Sequence, residues 1–186
     1  MSLFEFIMIM IAIIIGLGIA ELLAGVSSLL RHRAKAKTYW VHMLLTAVVF
    51  LALLQQFWEA WSLREVSEWT FIALLQVLGA PVCLYLCARL LLPENLEGED
   101  IEGYYYSEMR PIWLLLFIGV CLSTTLRPIV FDGKLLAADN LQSLIILVAL
   151  PLLWASSNRV LHSFCVSLAL LLVLGDIVIF AGDIAN

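Results

Sequence analysis

Six stretches of this chain are apolar for so long that water cannot be their only solvent. They run Leu3–Leu30, Tyr39–Trp61, Trp69–Leu92, Pro111–Phe131, Leu141–Ser157 and Val160–Ala181. A helix of about 20 residues, rising 1.5 Å per residue, crosses a hydrocarbon layer of roughly 30 Å. Each run is near that length, and none alternates apolar with polar residues as a barrel strand would. Composition agrees: 63% of the 186 residues are hydrophobic and 13% charged, with a mean hydropathy of +1.04. A soluble domain is nearer half apolar and a quarter charged. The expected fold is therefore all-α, a polytopic integral membrane protein whose residues 1–186 form one compact bundle of about six transmembrane helices. The fifth run is the shortest and contains Pro151. Only Ser156-Ser157-Asn158-Arg159 separates it from the sixth, which predicts a tight helical hairpin.

Lysine and arginine set the orientation of such a bundle. With the N-terminus outside, the cytoplasmic side receives Arg31, Arg33, Lys35, Lys37, Arg89, Arg110 and Arg159, and the outer side Arg64, Arg127 and Lys134. Six spans then return the C-terminus to the outside. The expected location is a bacterial-type inner (plasma) membrane with both termini outside the cytoplasm. Net charge is only −5, and four of the ten basic residues lie in one short loop, so nucleic acid is not an expected partner. The N-terminus lacks a basic leader, and its apolar run is too long for a signal-peptide core. Cys83, Cys87, Cys121 and Cys165 all fall within apolar runs without CxxC spacing, which predicts neither a disulfide framework nor a zinc site.

The connection Pro93–Arg110 carries Glu94, Glu97, Glu99, Asp100, Glu102 and Glu108 before Tyr104-Tyr105-Tyr106. It reads as a solvated loop whose tyrosines and Pro111 lead into the fourth helix. It has no EF-hand spacing.

Polar residues inside the apolar runs are the candidate sites, because each must face protein or water. Glu21 stands alone between Glu5 and Arg31. Gly18, Gly25 and Ser28 share its helical face and form a small-residue packing seam. Asp176 sits within the last helix, and Arg127 in the fourth run falls at a matching depth, so the two form an expected ion pair. Gln55 and Gln76 fall in the same layer, and Gln56 adjoins it. Glu59, between Trp58 and Trp61, belongs to an interfacial belt. Gly79-Ala80-Pro81 and Pro151 interrupt the third and fifth helices. Such breaks kink a helix or mark an ion site.

His42 and His162 each lie a few residues inside the cytoplasmic end of an outward-running helix, a placement that bis-histidine ligation of a haem between helices needs; no C-x-x-C-H motif accompanies them. No GxSxG, HExxH or GxxxxGK[ST] pattern occurs, so nothing argues for an enzyme and no cofactor is expected. Two function classes follow. One is an ion or proton pathway, channel or transporter-like, using Glu21, Asp176 and Arg127. The other is a non-catalytic structural or assembly subunit of a membrane complex that docks by self-association or on another subunit. A membrane haem protein is a minor third. The lipid bilayer is the common partner of all three.

Overall fold

The computed structural model describes residues 2–32, 37–66, 68–93, 100–126 and 141–183. Among them the regular structure is helical: α1 Leu3–Arg31, α2 Trp40–Glu59, α3 Phe71–Leu91, α4 Ile101–Cys121, α5 Leu141–Ala155 and α6 Arg159–Asp183. A 3-10 segment, Ala60–Glu65, continues α2, and a π-helical segment, Leu122–Leu126, continues α4.

Five helices are long and apolar enough to cross a membrane. At 15 residues α5 spans roughly 22 Å, short of a full hydrocarbon layer. The surface is correspondingly apolar: Val178 is 73% exposed and Phe71 72%. Such side chains face outward without penalty only where the surroundings are lipid or another apolar surface. The architecture is a compact all-α bundle of the multi-pass membrane type.

Local chemistry fixes the helix starts. Ser2 and Glu5 form a capping box, with Ser2 Oγ accepting from the Glu5 amide and Glu5 Oε2 accepting from the Ser2 amide. Thr70 accepts from the Ala73 amide and starts α3. Asp100 accepts from the Glu102 amide and starts α4.

That last cap corrects the loop expected over Pro93–Arg110. Its second half, Ile101–Arg110, is the first three turns of α4, with Pro111 inside the helix. Ile101, Tyr105, Met109 and Ile112 are all buried. Their spacing makes one helical face, and burying that face outweighs the acidic character of its neighbours. The first half, residues 94–99, lies outside the described residues.

Helix α3 is central and packs against both α1 and α4. Its seam with α1 is parallel, and the partners advance in step. A Cβ on Gly18 would meet Leu53 and the Tyr85 backbone, Glu21 meets Arg89, and a Cβ on Gly25 would lie 2.5 Å from Leu92 Cδ1. The seam with α4 is antiparallel: Gly79 faces Leu122, Gly119 faces Cys83, and the Cys87 thiol points at the Ile112 carbonyl. Gly79-Ala80-Pro81 therefore leaves α3 unbroken and lets α4 approach closely. On the other side of the bundle α5 packs on α4 and α6 packs on α2, while α5 and α6 touch one another less. The hairpin is splayed, and space is left between its arms.

Candidate functional site

That space is a cavity of about 650 Å³ between α2, α4, α5 and α6. Its body is walled by Val48, Ala52, Leu116, Ile146, Ala149, Ala169 and Leu172. Its polar residues gather toward the end of the bundle where α1 begins, termed the N-terminal face: Gln55, Gln56, Glu59, Ser62, Arg64, Ser123, Thr124, Ser143 and Asp176. The volume lies in the usual range for small-molecule sites, and an apolar body with a few converging polar groups is their usual make-up.

Gln55 and Asp176 are brought together on this wall: Gln55 Nε2 donates to Asp176 Oδ2 at 3.2 Å. Both sit where helices α2 and α6 pack, and rise-per-residue counting places them at one depth. The expected partner Arg127 lies outside the described residues. Arg64 stands at the rim, ion-paired to Glu65 at 3.6 Å and lying 5.2 Å over the Trp61 ring. Glu59 ends α2 and lines the cavity beside it.

Gln76 faces α4 instead of the main cavity. Its Nε2 donates to the Leu122 carbonyl at 2.7 Å, where α4 turns π-helical. Widening to π geometry frees carbonyls from the regular ladder, and the buried amide takes one of them. Among the described residues Gln76 Oε1 has no hydrogen-bond partner. It borders a void of about 20 Å³, the size of one water, shared with Gln56 and Ser123. Of the three glutamines expected in one polar layer, Gln56 and Gln76 border this void, and Gln55 holds Asp176.

The cavity floor is aromatic. Trp113 closes it, packed edge-on to His162 with ring centroids 5.7 Å apart. Beneath lies a fully buried cluster around Tyr105, with His42 6.0 Å and His162 5.5 Å away, centroid to centroid. The Ser156 carbonyl can only accept, so His162 Nε2 donates to it at 2.8 Å. In the neutral imidazole Nδ1 then accepts from the Tyr105 hydroxyl at 2.9 Å. His42 Nε2 donates to the Leu91 carbonyl at 2.6 Å and so satisfies the end of α3, while Tyr39 and Tyr106 join hydroxyls at 3.0 Å.

The two histidines thus share a depth, but the residues do not fit a haem. Tyr105 stands between the rings, and three of the four imidazole nitrogens are committed to Leu91, Ser156 and Tyr105. Among the described residues no group of three or more histidines, cysteines and carboxylates could hold a metal ion.

Glu21 is elsewhere. It accepts from Arg89 Nη1 at 2.8 Å on the α1–α3 seam and does not line the cavity. The Ser28 carbonyl accepts from the amide and ring of His32, ending α1. At the same end of the bundle Arg159 pairs with Glu102 at 2.9 Å. The Glu21–Arg89 and Tyr105–His162 partnerships were not anticipated from sequence. Arg89 falls near Glu21 in depth, but only the parallel packing of α1 on α3 brings the two to one azimuth. Tyr105 was hidden by the acidic residues around it.

Comparison with known protein families, with curated proteins and with solved structures found no match, and the functional reading rests on this geometry.

Proposed function

We propose that this protein is a non-catalytic, multi-pass integral membrane protein that holds an amphiphilic small molecule between α2, α4, α5 and α6. The observation that carries this reading is the cavity, apolar in its body, polar at one end and closed below by Trp113. The cavity is partly open at its boundary, so a molecule from the surroundings can enter it. Water is a poor filler for the apolar body. An alkyl chain with its head among the polar residues suits both parts.

The host membrane in this reading is a bacterial-type inner membrane, with both termini outside the cytoplasm and the polar end of the cavity in the outer leaflet. The support is the excess of lysine and arginine at the opposite face. An ion or proton route is the second reading, favoured by Asp176 on the cavity wall. It is weaker because the wall between Asp176 and Trp113 offers a proton few polar stations, and Glu21 lies on a different seam.

Native mass spectrometry after mild detergent release tests the binding reading. The wild-type chain should retain one amphiphile, and Ala169→Trp, which fills the cavity body, should release it while the helical content stays unchanged. Equal occupancy in both proteins would remove the cavity as the site. Flux across reconstituted vesicles that Asp176→Asn abolishes would favour the ion route.

A further inference from the structure

Resting on the cavity-binding reading, we infer that the head group it takes is a cation, an ammonium on an apolar chain, held by Asp176 and aligned by Gln55. Asp176 is the acid carried on the wall within α6. Its side chain has one hydrogen bond among the described residues, the 3.2 Å contact from the neutral Gln55 amide. A neutral donor orients a carboxylate without cancelling its charge. The carboxylate is partly buried on a largely apolar wall, where a charge is screened less than in bulk water and attracts a cation.

The other charged side chains lining the cavity, Glu59, Arg64 and Glu65, are more acidic than basic and support this choice of sign. Arg64 follows α2 on the 3-10 turn and is engaged by Glu65 and the Trp61 face. Gln55 precedes Glu59 by four residues and therefore lies about 6 Å deeper than the end of α2. An anionic head meets repulsion from Asp176, Glu59 and Glu65 against the attraction of one arginine already engaged by Glu65. A cationic head meets Asp176 with its chain running down toward Trp113. From Asp176 to Cys165 the wall of α6 extends roughly 16 Å, enough for an alkyl chain. The indole of Trp58 also lines the cavity and offers an aromatic face of the kind that favours ammonium groups.

A smaller polar void adjoins this end of the cavity. Gln76 Oε1, on a residue only 6% exposed, is a buried acceptor without a donor among the described residues, and its small void shares Gln56, Ala80 and Ser123 with the main cavity.

Three probes with one chain and different heads test the inference: dodecyltrimethylammonium, dodecanoate and dodecanol, titrated calorimetrically into the full-length protein in maltoside micelles. The wild type should bind the cation at least tenfold more tightly than the other two. Asp176→Asn should bind all three alike, Asp176→Glu should keep the preference, and Gln55→Leu should reduce it. Binding of all three without preference in the wild type, or a preference that survives in folded Asp176→Asn, would overturn the cationic head and leave the cavity reading intact. Absence of binding by any probe, with Ala169→Trp indistinguishable from wild type, would overturn both. The wild-type series decides the matter even where Asp176→Asn does not fold.

Discussion

Glu21 of α1 and Arg89 of α3 meet at 2.8 Å, and one turn further along the same parallel seam Gly25 lies under Leu92. The two contacts have different worth. The Glu21 and Arg89 side chains are 35% and 51% exposed, and Arg89 lies two residues from the end of α3, within reach of the headgroups, so the pair contributes little, less than about 1 kcal/mol. A Cβ at Gly25 would lie 2.5 Å from Leu92 Cδ1 and 3.1 Å from its Cβ, so a large side chain there must push the helices apart. Gly25→Leu should therefore destabilise by about 1–3 kcal/mol or more, and Glu21→Gln by less than about 1 kcal/mol. Denaturant titration of both variants in micelles compares them. A larger loss for Glu21→Gln would mean that charge, not close packing, holds the seam.

Tyr105 and His162 make a buried hydrogen bond that each needs. Tyr105→Phe leaves His162 Nδ1 without its donor in a site with no access to water, at a cost of about 1–3 kcal/mol. Replacing both by Phe should cost less than the sum of the two single changes, the mark of direct partners. Strict additivity in that double-mutant cycle would show that the contact carries no energy.

Gln76 should be the residue that steadies the π-helical end of α4. Gln76→Met keeps the bulk and removes the donor to the Leu122 carbonyl, with a cost of about 1 kcal/mol. Amide hydrogen exchange across Leu122–Leu126 should quicken in this variant while that of α1 does not change. Unchanged exchange at Leu122–Leu126 would mean that the segment is held by other contacts.

Orientation has its own test. A reporter fused after Asn186 should be active outside the cytoplasm, and a cysteine replacing Lys35 should resist an impermeant external label. A C-terminal reporter active in the cytoplasm would overturn the proposed topology.

Apolar length made the bundle legible, because in lipid a backbone must satisfy its own hydrogen bonds. The expected runs Leu3–Leu30, Tyr39–Trp61 and Trp69–Leu92 lie within two residues of α1, α2 and α3 at each end. Helix α4 was misjudged at its start for a physical reason: apolarity marks where lipid begins, whereas Asp100 marks where the helix begins. The i, i+4 spacing of Ile101, Tyr105 and Met109 was the available signal, and the surrounding acids masked it. Depth was also legible, since rise per residue placed Gln55 level with Asp176 and His42 level with His162. Azimuth was not. Which residues at one depth touch depends on how helices pack around the bundle axis, and that is why Arg89 was missed as the partner of Glu21. The cavity itself arises from the splay of α5 from α6, which no local pattern records.

The most direct test of the account places the light-emitting group at the cavity floor. Trp113 is 3% exposed and lines the cavity, whereas Trp154 is 51% exposed on the outer surface of α5. Of the six tryptophans, five would be replaced by phenylalanine to leave either Trp113 or Trp154, and each protein titrated with an amphiphile brominated near its chain end. Occupation of the cavity predicts saturable quenching of Trp113 that Ala169→Trp, read with phenylalanine at 113 as the blank, shows to need the open cavity, together with gradual, unsaturable quenching of Trp154. Quenching of Trp154 with Trp113 untouched at every concentration would contradict the account.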